Sequence, residues 1–517
     1  MIDLTVARIA EIVGGTLADV SPEAAADLHV TGTVEFDSRA VGPGGLFLAL
    51  PGARSDGHDH AASAVAAGAV AVLAARPVGV PAIVVEPRPR PTGAGLAGVL
   101  EHDADGSGAA VLAALAALAK AVAAELVAGG LRIIGITGSS GKTSTKDLVA
   151  AVLEPLGEVI APPGSFNNEL GHPWTVLRAT RSTDYLVLEM SARHPGNIAA
   201  LAEIAPPSIG VVLNVGTAHL GEFGSREAIA RTKAELPQAV PSSGAVILNV
   251  DDPAVAAMAG VTAARVVRVS RSDHTDSGPS DVWAEGVSLD ELARPRFTLH
   301  AMDGAVDVRL SVFGDHQVTN ALCAAAVALD CGAGVAQVAA ALEGAGPVSR
   351  HRMQVTTRAD GVTVIDDAYN ANPDSMRAGL QALAWIAHGP QQGQGAGADR
   401  RRSWAVLGEM AELGEDAIAE HDRIGRLAVR LDVSRLVVVG TGRSMSAMHG
   451  GAVLEGAWGS WGASGDRGAV AVPDGDAALA LLRAELRPGD VILVKASNAA
   501  GLGALAEALA ADGGAGP

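Results

Sequence analysis

The stretch with the most chemical potential in this chain is 134–146, Ile-Gly-Ile-Thr-Gly-Ser-Ser-Gly-Lys-Thr-Ser-Thr-Lys. An apolar run at 131–136 reads as a buried strand and 142–153 as a helix. The glycine-rich turn between them is therefore placed to cradle phosphate. In such a turn the N–H groups of Gly138, Ser139, Ser140, Gly141, Lys142 and Thr143 converge on phosphate oxygens, and the helix N-terminus adds its dipole. Lys142 supplies a cation, and the Thr143 hydroxyl suits Mg²⁺. The eight-residue phosphate-loop pattern is incomplete, because its first glycine would fall at Ile136.

Other candidates gather around this turn. A strand at 185–188 ends in Glu189, and a run at 209–213 leads to His219. Ligands collect at the carboxyl ends of parallel strands, so both would share an edge with the loop. Glu189 could hold Mg²⁺ there. Singly, each has a plainer reading, as a strand-end carboxylate and a loop histidine. Lys233 and Glu235 fall in a helical stretch, 226–239, and by charge alone read as a solvated face. Asn167 and Asn168 sit in a Gly/Pro/Asn loop, where amides orient a substrate or simply make a turn. The segment 365–375, Ile-Asp-Asp-Ala-Tyr-Asn-Ala-Asn-Pro-Asp-Ser, ends a strand and opens a helix. Asn372 or a nearby polar group as a cap, with Pro373 at an early position, explains part of it.

The elements that must position these residues form an α/β fold in three domains, expected at 1–125, 126–347 and 348–517. The first alternates apolar runs (46–50, 69–73, 82–85) with turns, then reaches a Pro/Gly/charge-rich loop at 87–108. The second alternates β-type runs (133–136, 185–188, 209–213, 245–248) with helices, which predicts a mostly parallel sheet. Residues 281–313 look antiparallel, and 317–329 return to a helix. The third predicts a smaller, Rossmann-like doubly wound domain. Its strands are expected at 362–365, 404–407, 436–439 and 491–494, with helices at 373–386, 416–429 and 477–485. A polar Gly/Gln loop at 389–398 reads as solvated.

Bulk properties narrow the class. The chain has 517 residues, 49% hydrophobic and 18% charged, which is globular and too long for one core. Its net charge of −19 argues against a nucleic-acid partner, so an anionic ligand needs a local positive site. Cys323 and Cys331 lie eight apart on an expected helix, hence ~12 Å apart and unable to bridge. Both read as buried small hydrophobes suited to a reducing compartment. The N-terminus lacks the pattern of a signal peptide, and 109–130, broken by Lys120 and Glu125, reads as a packed helix rather than a membrane span. A cytoplasmic location and a monomer are the expectations.

In order along the chain, several segments resemble the Mur ligase family. They are Asp37-Ser38-Arg39, the Gly44–Gly52 run, Asp56-Gly-His58, the loop through Thr143, Asn167-Asn168 with Gly171, and Leu188-Glu-Met190. After these come Asn214 to His219, Lys233, Gly314 to Asn320, Arg352-Met353, and Asp366 to Ser375. The resemblance implies a UDP-substrate domain, a central ATPase domain and a C-terminal domain that closes over ATP. It implies an ATP- and Mg²⁺-dependent ligase whose substrates are a UDP-N-acetylmuramoyl-tripeptide and D-alanyl-D-alanine. By position, Lys142, Glu189, His219 and Lys233 would be catalytic. Thr143, Glu189, His219 and Lys233, as a carbamate, would serve the metal. The loop from Gly138 to Ser144, with Asn320, Arg352 and Asp367, would contact ATP. Ser38, Arg39, Asn167, Asn168, Tyr369, Asn370 and Asn372 would contact the substrates. Departures occur at Ser191, where the family usually has Gly, at His351, and at Lys495-Ala-Ser-Asn498, where it often has Lys-Gly-Ser-Arg. The rival readings are a sister ligase that adds one amino acid and a non-catalytic nucleotide-binding regulator. The Asp-Asn-Pro-Arg motif of diaminopimelate-adding relatives does not occur; Asn372-Pro373 is followed by Asp374-Ser375.

Overall fold

The computed structural model describes residues 1–512 except 54, 88–99, 163, 217–219, 390–400, 459–460 and 462–466. Three sheets of five, nine and six strands frame it, drawn from residues 16–84, 132–309 and 354–495. The fold is α/β, as expected. Most of the loop at 87–108, and the loop at 389–398 beyond its first residue, lie outside the described residues.

The central sheet determines where the chemistry can sit. Its phosphate-loop strand, Arg132–Thr137, lies between Tyr185–Glu189 and Ile209–Val212, and all three run parallel. Chain order reverses on either side of this strand, which opens a crevice at the carboxyl edge. Register places Glu189 opposite Ile136 and Val212 opposite Thr137, so the three strands end together. Ala245–Asn249, Arg265–Ser270 and Val282–Leu289 continue the sheet in parallel. Pro295–Ala301 and Gly304–Arg309 finish it antiparallel, matching the expectation for 281–313. Buried on both faces, the parallel strands need unbroken apolar runs such as Ile209–Val212. Helices Lys142–Leu153 and Gln317–Asp330 cover one face, with Val149, Leu322 and Cys323 in its core. The helix stops at Asp330, so Cys331 is half-buried rather than buried.

Helix Ser107–Ala128 is long and apolar enough to cross a membrane, yet it is an internal strut here. It packs on Val6–Val13 of the first unit and on Gly171–Val176 and Asn197–Ile204 of the second. Leu115, Leu118 and Val122 join one core shared by the two units.

In the third sheet, Thr363–Asp366, Val491–Lys495, Ser403–Leu407, Arg435–Val439 and Gly468–Val472 run parallel, and Gln354–Thr357 adds an antiparallel edge. In this unit strands Gln354–Thr357 and Gly468–Val472 and helices Arg443–Trp458 and Gly503–Ala511 lay outside the sequence reading.

Candidate active site

The loop after Arg132–Thr137 turns through Gly141, whose φ of +85° only glycine adopts cheaply. A Cβ there would lie 2.7 Å from Asn320 Oδ1, so a side chain is excluded twice over. Lys142 Nζ donates back to Gly138 O at 2.8 Å. Asn214, just past the neighbouring strand, braces the loop: its Oδ1 accepts from Ser139 N at 2.9 Å and Ser140 N at 3.0 Å.

Glu189 is the second focus. Its Oε2 accepts from Thr143 Oγ1 at 3.3 Å and Ser165 Oγ at 3.0 Å, and Asn167 Nδ2 is 3.4 Å away. Its other oxygen, Oε1, is buried without a hydrogen-bond partner. Among the described residues no three Asp, Glu, His or Cys side chains cluster as a metal cage. Mg²⁺ does not require one, since it binds through one or two carboxylates plus phosphates and water. The oxygen-only group of Thr143, Ser165 and Glu189, with one orphaned carboxylate oxygen, fits that ion.

Lys233 corrects the charge-pattern reading. It ends helix Arg226–Lys233 and is buried, not solvated. No ion pair or hydrogen bond to the described residues holds its ammonium. Burial first, then the nearby Lys142 charge, push its pKa well below the ordinary lysine value. Burial also lowers Lys142, opposed by Glu189 and reinforced by Arg352.

The third unit reaches the same loop. Arg352 Nη2 donates to Thr143 Oγ1 at 3.1 Å and its guanidinium lies 4.1 Å over the Tyr369 ring. Asn372 caps helix Pro373–His388 in a capping box with Ser375, as its position predicts, and its Nδ2 lies 3.5 Å from Ser139 O. Asp367 is bound by Lys495 at 2.5 Å, and Lys495 also donates to Asn370 O at 2.9 Å. Burial lowers the Lys495 pKa, with Asp367 resisting. His351 Nδ1 meets Asp366 Oδ2 at 2.7 Å.

These groups surround a cavity of about 1100 Å³. Ser139 to Ser144, Asn167, Asn168, Asn320, Arg352, Asp367, Tyr369, Asn370 and Asn372 line it. Gly138, Glu189 and Lys233 lie behind that lining. Ser38 and Arg39 are not brought to it; Arg39 lies on the first unit's surface, paired with Asp37 at 2.7 Å. His219 lies outside the described residues. Ser165, Asn214 and Lys495 were not assigned roles from sequence. The signals for Asn214 were its place one residue past a strand run and its place at the head of the family-like segment Asn214 to His219, and Ser165 resembled any turn serine.

Comparison with known proteins identifies the family. The chain matches the Mur ligase family catalytic domain over 31–120, the Mur ligase middle domain over 136–328, and the Mur ligase glutamate ligase domain over 351–498. It is 82% identical to the UDP-N-acetylmuramoyl-tripeptide--D-alanyl-D-alanine ligase of Mycobacterium tuberculosis, over 99% of this chain and 98% of that protein. A solved UDP-N-acetylmuramoylalanyl-D-glutamyl-2,6-diaminopimelate--D-alanyl-D-alanyl ligase from Acinetobacter baumannii superposes with a TM-score of 0.74 at 28% identity, covering 98% of each chain. The MurF ligase of Thermotoga maritima in complex with ADP gives a TM-score of 0.69 at 25% identity, covering 94% of this chain and 98% of that one.

Proposed function

The chain belongs to the Mur ligase family, and we propose that its cavity is where ATP activates a peptide carboxylate for attack by an amine. The enzyme is an ATP-dependent ligase that joins D-alanyl-D-alanine to UDP-N-acetylmuramoyl-tripeptide, with release of ADP and phosphate. The observation that best supports the site assignment is the meeting of Arg352 and Asn372 with Thr143 and Ser139 across the cavity. It puts residues of the third unit against the phosphate loop of the second.

A carboxylate oxygen is a poor leaving group, so the tripeptide's terminal carboxylate first attacks the γ-phosphorus of ATP. The dipeptide amine then attacks the resulting acyl phosphate, and the C–O bond to phosphate breaks. In this assignment the loop amides and Lys142 hold the β- and γ-phosphates, and Arg352 adds charge from the opposite wall. Thr143 and Glu189, with Lys233 as a carbamate, would hold Mg²⁺, which offsets negative charge at the transferring phosphoryl group when bound. A neutral amine is the form that adds CO₂, and burial favours it at Lys233. Asn167 and Asn168 would orient the tripeptide, and Tyr369, Asn370 and Asn372 the dipeptide. Asn320 and Asp367 would contact the nucleotide. Ser38 and Arg39 would meet the UDP end. Closure of the third unit excludes water from the acyl phosphate. We place the reaction in the cytoplasm, where ATP is available, and in a monomer.

The test is isotopic. With the terminal carboxylate of the tripeptide labelled with ¹⁸O, one labelled oxygen should appear in each released phosphate. Unlabelled phosphate would rule out carboxylate attack on ATP.

A further inference from the structure

Arg352 stands between two residues in the left-handed backbone region, His351 at φ +58° and Met353 at φ +51°. Residues other than glycine keep such angles only where their surroundings enforce them. Here the enforcement comes from the consecutive carboxylates that close strand Thr363–Asp366 and begin the segment after it. His351 Nδ1 lies 2.7 Å from Asp366 Oδ2, and Met353 N donates to Asp367 Oδ1 at 3.2 Å. An ionised carboxylate only accepts, so Nδ1 carries the proton in this pair. Tyr369 N completes the bracket by donating to His351 O at 3.2 Å.

The bracketed arginine faces the phosphate loop. Its guanidinium lies over the Tyr369 ring and reaches Thr143 Oγ1. Its Nε is buried with no hydrogen-bond partner among the described residues, a donor left for an anion. His351 does not line the cavity, whereas Arg352 and Met353 do. Imidazole suits the position behind the lining on two counts. Histidine enters the left-handed region more readily than bulkier side chains, and its ring nitrogen can bond Asp366. The ring is also tightly seated. A Cβ on Gly503 would stand 2.9 Å from His351 Nε2, so only glycine lets helix Gly503–Ala511 begin against the ring as it stands. Glu507 Oε1 of that helix is 3.7 Å from the same nitrogen. Burial raises the Asp366 carboxyl above the ordinary range, and the bond from His351 opposes it.

We infer that His351 is a positioning residue for ATP: by holding Asp366 it fixes the turn through 351–353 and keeps Arg352 aimed at the phosphates. The inference rests on the reading of Arg352 as a nucleotide contact. Because His351 stands outside the lining, its loss acts through Arg352 and on ATP, with the tripeptide and the dipeptide unaffected.

The experiment measures KM for ATP, the tripeptide and D-alanyl-D-alanine in the wild type, His351→Gly, His351→Asn, Arg352→Ala and the double variant His351→Gly with Arg352→Ala. Glycine adopts the left-handed angle freely but has no ring. Asparagine tolerates that angle and places an amide N–H where Nδ1 stands. Arg352→Ala should raise the KM for ATP about tenfold or more. His351→Gly should raise it by a comparable factor, leaving the other two KM values unchanged, and His351→Asn should recover most of the loss. The double variant should match Arg352→Ala alone, since nothing is left to aim. Losses that multiply in the double variant would overturn the inference. So would a His351→Gly enzyme with the wild-type KM for ATP, an equal rise in KM for all three substrates, or a His351→Asn enzyme as impaired as His351→Gly. Melting temperatures accompany each variant, and His351→Ala takes the place of His351→Gly if the latter does not fold. An unchanged KM for ATP in Arg352→Ala would overturn the nucleotide reading as well, which separates the two failures.

Discussion

Lys142, half-buried in the cavity lining, lies close enough to the buried Lys233 for its charge to lower the Lys233 pKa. Replacing Lys142 with Ala should lower turnover ~10³-fold, about 4 kcal/mol of barrier. Steady-state phosphate release checks this, and turnover within tenfold of wild type would contradict the role. Lys233→Ala should abolish activity, with partial rescue by short carboxylic acids that replace a carbamate; absence of rescue would argue against the modification. Lys495 and Asp367 make a buried pair, and cutting one member strands the other charge at ~3–5 kcal/mol. Lys495→Met should therefore lower the melting temperature more than Lys495→Met combined with Asp367→Asn. On the surface, Arg39 holds the Asp37 carboxyl down to about 2 by hydrogen bonds to its side chain and backbone N–H. A depressed carboxyl contributes stability above its unfolded value near 4, lost as pH falls through ~4 to 2. Arg39→Ala should return the Asp37 titration to the ordinary carboxylate range by NMR.

Legibility at this scale followed contiguity. The loop from Gly138 to Thr143 could be read because strand, turn and helix are adjacent in sequence. Asn372 could be read because cap and proline are neighbours. The burial of Lys233 could not, since a charged residue at the end of an amphipathic helix looks the same whether it meets water or a second strand's edge. Ser165 and Asn214 act on partners 24 and 74 residues away, which no local pattern carries.

Among the elements, the apolar parallel strands were legible and the glycine-rich helix Arg443–Trp458 was not. Its glycines lower helix propensity, but the close crossing with helix Ala417–Arg430 needs the one at Gly451. A Cβ on Gly451 would stand 2.6 Å from Asp422 O of helix Ala417–Arg430. Gly451→Val should destabilise the third unit by ~1–3 kcal/mol through overpacking. Urea unfolding followed by the fluorescence of Trp461, which is bonded to Val433 O of that unit, measures it; an unchanged midpoint would contradict the crossing. Helix Ser107–Ala128 was correctly read as a packed helix, because Lys120 and Glu125 interrupt its apolar run. Its service to two units at once was not legible.

For the whole molecule, three units converge on one cavity. The phosphate loop and Glu189 come from the central sheet, Arg352 and Asn372 from the third unit, and the apolar end partly from the strut helix. Gly221 and Gly414 mark a second approach of the two units, since a Cβ on either would fall 2.5 Å from the other's backbone. Order along the chain could not show this meeting. The decisive assay is phosphate release from ATP with UDP-N-acetylmuramoyl-tripeptide, with and without D-alanyl-D-alanine, the product mass read in parallel. A ligase of this specificity should release phosphate only with the dipeptide present and give a product heavier by two alanyl residues. Dipeptide-independent release, or a product extended by a single amino acid, would contradict that specificity.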